Sequence, residues 1–314
     1  MILNSAFSYG VLGFAYFGLN RLAEAKVVRQ KQVALKLDTV YDHVDLYALA
    51  FLEGDAAAMQ REAEWANGKP DQFAMVQTVA EAAAAAGKLQ KAREAYRQAV
   101  EMAQRGKFEE VAAAIAAQHA IVEATFGNFA QARAGARSAL AMDRSRTPLQ
   151  FTGLAQSMAG DVREANATAD ELSKRFPIDT YVNSIWLPVI RGEIELSRGN
   201  PGKAIELLRA ASPYEFGWIS RFALTNYVRG LAYIKAKQGK EAAAEFQKVL
   251  DHGGICRTLP ACTLSHLQLA RARALSGDAA GARTAYQDFF AIWKDADPDL
   301  PILKEAQAEY TKLK

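Results

Sequence analysis

The sequence predicts an all-α solenoid of about eight antiparallel helix hairpins in one right-handed superhelix, closed by a C-terminal capping helix. Three observations predict it. First, "GKLQKAREAYRQAVEMA" places Ala92, Tyr96 and Ala99 on one helical face, four and three residues apart, so two small residues flank one filling aromatic. Second, that triplet returns with lead positions 25, 59, 92, 132, 165, 204, 242 and 282, in steps of 34, 33, 40, 33, 39, 38 and 40 residues. A period of this size is the mark of a stacked repeat rather than of a domain with one central core. Third, nearly every copy follows a glycine and a polar residue, such as Gly160-Asp161 or Gly277-Asp278. That pair ends one helix and turns the chain into the next.

Each element follows from these signals. Repeat one spans 3–36, with Ala25, Arg29 and Gln32 as a weak triplet, and repeat two spans 39–68, with Met59, Ala63 and Ala66. Repeats three and four span 71–105 and 108–143, the fourth carrying Ala132, Ala136 and Ala139. Repeat five (147–176) carries Ala165, Ala169 and Leu172, and repeat six (180–212) carries Ala204, Leu208 and Ala211. Repeats seven and eight span 221–252 and 261–294, with Ala242, Phe246, Val249 and Ala282, Tyr286, Phe289. The last helix, 300–314, has an apolar face at Ile302, Leu303, Ala306 and Tyr310 that should cover the last repeat. Pro188 falls inside a helical pattern and is expected to kink its helix beside Trp186. The first helix carries Phe7, Phe14 and Phe17 with no polar segment before it. Solenoid ends normally need a cap, so the expectation is a fragment of a longer chain, or self-association through this helix.

Composition excludes more than it proposes. The chain has 314 residues, a net charge of +3 and 23% charged residues of mixed sign. No basic stripe of the nucleic-acid-binding kind is present, although Arg144 and Arg146 are locally positive. No apolar run reaches membrane-span length, and the apolar start lacks a basic leader region. The chain therefore reads as cytoplasmic, or as extracytoplasmic if it belongs to a membrane-anchored protein.

No catalytic constellation appears, so no enzyme activity and no cofactor are expected. His43, His119, His252 and His266 show no metal-ligand spacing. There is no phosphate loop and no G-x-S-x-G elbow, and Glu109-Glu110 sit at a helix start, where they favour the dipole. The only cysteines, Cys256 and Cys262, lie in the Gly- and Pro-marked linker "GGICRTLPAC". Two free thiols are the default. A loop-stapling disulfide is the alternative in an oxidising compartment, and a metal site would have only His252 and His266 to help.

The pattern resembles the tetratricopeptide repeat. "LGFAY" (Leu12, Gly13, Tyr16) matches that family's first-helix motif, and "RGLAY" (Arg229, Gly230, Tyr233) matches it with leucine replaced. Gly153 and Gly192 keep the glycine alone; Tyr47, Ala80, Ala120 and Ala270 replace it, which implies a looser helix contact there. Pro177 stands where the family ends a repeat. The C-terminal half, from "YVRGLAYIKAKQGKEAAAEFQKVLDHGGI" to the end, is similar to the tails of bacterial eukaryotic-like serine/threonine kinases and winged-helix regulators. The kinase Gly-rich loop, HRD and DFG motifs are missing. The resemblance thus implies a kinase- or regulator-associated module.

The resemblance also implies a binding face, because in a tetratricopeptide hairpin the first helix lines the concave side. Its groove positions fall here on Tyr41, Val44, Phe51, Gln77, Glu81, Ile121, Gln150, Trp186, Glu193, Tyr227 and Arg271. The expected function is protein–protein interaction, with a peptide or partner protein in that groove and Trp186 and Tyr227 as anchors. The alternative is a regulatory domain sensing a small ligand in one closed pocket.

Overall fold

The computed structural model describes residues 5–216 and 224–313. Among these residues every regular element is helical. The hairpins are α1 (Ala6–Gly18) with α2 (Leu22–Ala34), α3 (Val40–Glu53) with α4 (Ala56–Trp65), and α5 (Gln72–Ala85) with α6 (Leu89–Arg105). They continue as α7 (Glu109–Thr125) with α8 (Phe129–Met142), α9 (Arg146–Met158) with α10 (Val162–Arg175), and α11 (Leu187–Ser197) with α12 (Pro201–Arg209). After α13 (Thr225–Lys235) and α14 (Gly239–Leu250), a single turn α15 (Gly253–Cys256) leads into α16 (Pro260–Leu275), α17 (Ala279–Ile292) and α18 (Pro301–Thr311).

The turns are built as the Gly-polar pairs predict. Gly87, Gly127, Gly160, Gly199 and Gly277 all have positive φ, between +70° and +84°, where a side chain would be strained. The α13–α14 turn makes the same bend on Lys237, at φ 62°. The 40-residue step from 92 to 132 arises from long helices, 17 residues each in α6 and α7, and the one from 242 to 282 from the inserted turn α15 and its linker.

The triplets pack against the motif positions of the first helices. A Cβ at Gly230 would lie 2.6 Å from the Phe246 ring, and one at Gly192 would lie 3.0 Å from Leu208. These glycines let the paired helices approach. The looser contact expected at Ala120 is corrected: a Cβ on Gly135 of α8 would lie 3.2 Å from the Ala120 Cβ, so the glycine has moved to the opposite helix. At Tyr47 the expectation fits, because its partner helix α4 buries no residue fully. The weak first triplet is explained by Gly13, above which the Arg29 guanidinium sits, 2.6 Å from where a Cβ would be.

Pro188 lies inside a helical stretch, next to a local break in the regular α-helical ladder. Residues Val182–Trp186 form a π-helical turn that runs into α11, with Leu187 N–H donating to the Val182 carbonyl. Pro188 follows that turn directly inside one continuous helical stretch, and a π-turn is a place where a helix bends and accommodates a residue without an N–H.

The array also closes on itself. One apolar cluster joins Phe73, Met75 and Leu89 of repeat three to Leu264, Leu267, Trp293 and Leu303 of the last elements. The Trp293 indole N–H donates to the Ala85 carbonyl at 2.9 Å, and its ring stacks on Phe126 at 5.8 Å. Asp297 N–H donates to the Gly87 carbonyl at 3.0 Å, and the Asp297 carboxylate accepts from the Gln90 N–H at 3.1 Å. A second cluster, with Leu149, Leu154, Val189, Ile190 and Leu208, forms the core of repeats four to seven. The face of α18 packs as predicted, with Leu303 and Ala306 buried and Ile302 and Tyr310 against the first cluster.

Candidate functional site

Two polar centres lie where the late repeats meet the early ones. In the first, Arg29 is buried at 1% exposure, and its guanidinium donates to Asp45, to Asp42 at 2.9 Å and to Gln32 at 3.1 Å. Asp42 also accepts from the Thr39 N–H at 2.8 Å and its hydroxyl at 2.9 Å, which starts α3 as a capping box. Arg257, from the stretch between α15 and α16, donates to the other oxygen of Asp45 and lies 4.2 Å over the Phe17 ring. One carboxylate therefore serves two buried cations, a geometry that loses several kcal/mol if either partner is removed.

In the second centre, Glu81 of α5 accepts from the Gln118 amide at 2.9 Å and from the Thr258 hydroxyl at 2.6 Å. The Gln77 amide donates to Gln118 at 2.6 Å. Three early first-helix side chains thus form a polar cradle, and the hydroxyl comes from residue 258 of the same linker.

That linker is pinned. Cys256 and Cys262 are disulfide-bonded, with Cα atoms 5.7 Å apart, so the free-thiol default gives way to the bridged alternative. Asn20 donates to the Asp251 carbonyl at 2.9 Å and accepts from the Gly254 N–H at 2.8 Å. Two small cavities lie beside it among the described residues. One cavity of about 60 Å³ is lined by Asn226, Tyr227, His252, Ile255 and the two cysteines, and another of about 30 Å³ by Tyr96, Gln118, Ile121 and Pro260. These hold a few waters each and no extended peptide.

The predicted groove residues divide accordingly. Gln77 and Glu81 meet in the cradle. Tyr41 is 48% exposed, Phe51 is half-buried, and Val44 packs on the first apolar cluster. Gln150, Trp186, Glu193 and Tyr227 are buried. Trp186 packs 5.3 Å from Phe151, and Tyr227 lies edge-on to Phe246 at 5.7 Å, so both are core side chains between neighbouring helices. Ile121 borders the smaller cavity. Arg271 donates to Glu309 of α18 at 2.8 Å. Glu193 makes no side-chain hydrogen bond among the described residues; burial pushes its carboxyl up to about 7, with Lys235 opposing.

Other ion pairs tie neighbouring repeats. Burial raises Glu123, but hydrogen bonds from Arg93 and His119 hold it down at about 2. Arg229 bridges Glu215 and Glu245. The residues that the sequence reading missed are Asp45, Gln118, Arg257 and Thr258. The cysteine spacing marked their linker, but nothing local says that Arg257 and Thr258 meet residues 212 and 177 positions away. Among the described residues no cluster of metal-ligating side chains occurs, and no helix is long and apolar enough to cross a membrane.

No protein-family model matches the sequence, and no curated protein does. Among solved structures, a tetratricopeptide repeat protein from Parabacteroides merdae is 16% identical, over 87% of this chain and 98% of its own, with a TM-score of 0.47. Yeast Tom70 is 12% identical, over 99% of this chain and 90% of its own, with a TM-score of 0.37. A signal transduction ATPase from Pyrococcus horikoshii with a tetratricopeptide repeat sensor is 14% identical, over 91% of this chain and 52% of its own, with a TM-score of 0.41. The chain's own hairpins, with small first-helix residues under second-helix side chains, give it the fold of a tetratricopeptide repeat protein.

Proposed function

We propose that this protein is a protein-interaction scaffold that holds a partner segment on the inner face of its early first helices. The observation that carries this reading is the cradle itself: Glu81, held by Gln118, which in turn accepts from Gln77, already binds a non-helical stretch of polypeptide through one side-chain hydrogen bond, from Thr258. Tyr41, Phe51 and Arg271 keep partial exposure and would extend the contact. The resemblance of the C-terminal half to kinase- and regulator-linked arrays supports a place beside such an enzyme or regulator.

A photo-crosslinking residue tests the scaffold reading. Placed at Gln77 on the inner face, it should capture a partner that the same residue at exposed Gln98 of α6 does not capture. Equal capture at both positions, or none at Gln77, would remove the assignment. The ligand-sensing alternative is supported by the cavity of about 60 Å³ beside Asn226 and Tyr227. Filling it with Ile255→Phe would abolish small-ligand binding while leaving capture at Gln77 unchanged.

A further inference from the structure

The Arg257–Thr258 turn is built in a way that packing alone does not require. Arg257 has φ 55° and ψ −119°, a backbone region that glycine enters freely and that strains any other residue. It is nonetheless an arginine, and its side chain is buried at 4% exposure on Asp45 and the Phe17 ring. The next residue, Thr258, is buried at 1% and donates to Glu81 at 2.6 Å. Asp45 and Glu81 stand on α3 and α5, the first helices of consecutive repeats. Packed helices lie about 8–10 Å apart, so two successive side chains on an irregular backbone can reach both. A helix in the same place would have to present such contacts three or four residues apart. The bridge from Cys256 to Cys262 brackets the turn, so its ends stay together while its two side chains reach outward.

We propose that Arg257 and Thr258 are an internal occupant of the partner site, and that the partner presents the same chemistry: a basic residue followed directly by an unmodified hydroxyl residue. This rests on the scaffold reading above. Asp45 supplies the charge for the basic side chain, although it shares that charge with Arg29. The Glu81 carboxylate accepts a hydrogen bond from a hydroxyl and repels a phosphate. The cradle amides hold Glu81 from its other side and fix its direction. A partner must displace the turn, so binding and closure of the array compete.

The test uses the full chain and three fluorescein-labelled peptides of residues 253–264 with serine at both cysteine positions. One keeps the arginine and threonine, one has alanine at both, and one carries phosphothreonine. Binding is measured by fluorescence anisotropy, before and after reduction of the cystine with a water-soluble phosphine. Arg257→Ala/Thr258→Ala should bind the first peptide at least about tenfold more tightly than the unaltered chain, and should bind neither of the others. Folding is checked by circular dichroism. If the double variant does not fold, Thr258→Val, which keeps the Arg257–Asp45 pair and vacates only Glu81, is compared on the threonine and phosphothreonine peptides alone, and equal binding of the two overturns the proposal. A folded variant that binds all three peptides alike, or none under either condition, overturns the proposal. If capture at Gln77 persists while the peptides fail, the scaffold reading stands and only the internal occupant falls.

Discussion

Glu193→Gln should remove one contribution to the pH dependence of stability, and its size follows from burial. Glu193 lies on α11 at 7% exposure, with no hydrogen-bond donor to its carboxyl among the described residues. The nearest offsetting charge is Lys235, whose ammonium is itself held by the Leu196 carbonyl at 3.2 Å. Desolvation moves the carboxyl from an ordinary 4.5 to about 7. An unfolded chain therefore releases this proton first, and between the two values the folded chain binds more protons. Stability must fall as pH rises through that window. At about 1.4 kcal/mol per pH unit, roughly 2.5 kcal/mol should be lost between pH 5 and pH 8. Glutamine keeps the shape and cannot ionise. In chemical denaturation followed by circular dichroism, the variant should gain about that amount on the unaltered chain over the same range. All other titrating groups are shared and cancel in the difference. Two stability profiles running parallel from pH 5 to pH 8 would refute the argument, because the carboxyl would then be solvated in the folded state.

Trp186→Ala should lower stability by roughly 3–5 kcal/mol, as loss of a buried aromatic does, with a matching drop in melting temperature. A stability change below about 1 kcal/mol would mean that Trp186 does not pack in the core. Reducing the cystine, or Cys256→Ser/Cys262→Ser, should cost only about 2 kcal/mol, since so short a closed loop removes little chain entropy; melting with and without the phosphine measures this. Lys237→Gly should gain about 1 kcal/mol by relieving a left-handed residue, and Gly277→Ala should lose about as much at the equivalent turn. Burial lowers the pKa of His43, but its hydrogen bonds to Glu62 and Asp38 outweigh that and raise it. Its contribution should be complete below about pH 6.5 and fade as pH rises through the raised value; His43→Gln should flatten that limb in thermal melts.

How much of this was legible depends on whether the signal is local. Ala92, Tyr96 and Ala99, or Gly230 under Phe246, declare themselves because a helix repeats its faces every few residues and each hairpin packs within one repeat. The same locality located the turns and the closing helix. Arg29 read as a blemish in the pattern because its partners, Asp42 and Asp45, belong to the next repeat. Trp186 and Tyr227 were placed on the groove by their register, but register does not tell a groove from a tightly filled seam between adjacent first helices. Closure was least legible. Asn20 against Gly254, Arg257 against Asp45 and Trp293 against Ala85 join residues more than 200 positions apart, and no period in the sequence encodes them.

The closing contacts differ in kind from those inside the hairpins, and that difference bears on function. Within most repeats alanines and aromatics exclude water, with buried polar pairs such as Arg229–Glu245 as exceptions. Across the closure, an arginine, a threonine and an indole N–H each meet one acceptor. Buried polar pairs of this sort add little net stability over apolar packing, yet they are costly to mismatch, so they fix which surfaces meet. An apolar cluster closes this array, and the few directional bonds within the closure define its closed state, so a competitor offering the same bonds meets a specific match. On the proposal above, the early first helices are both the closing surface and the binding surface, and access to them is set by how well a partner matches the pair Arg257 and Thr258.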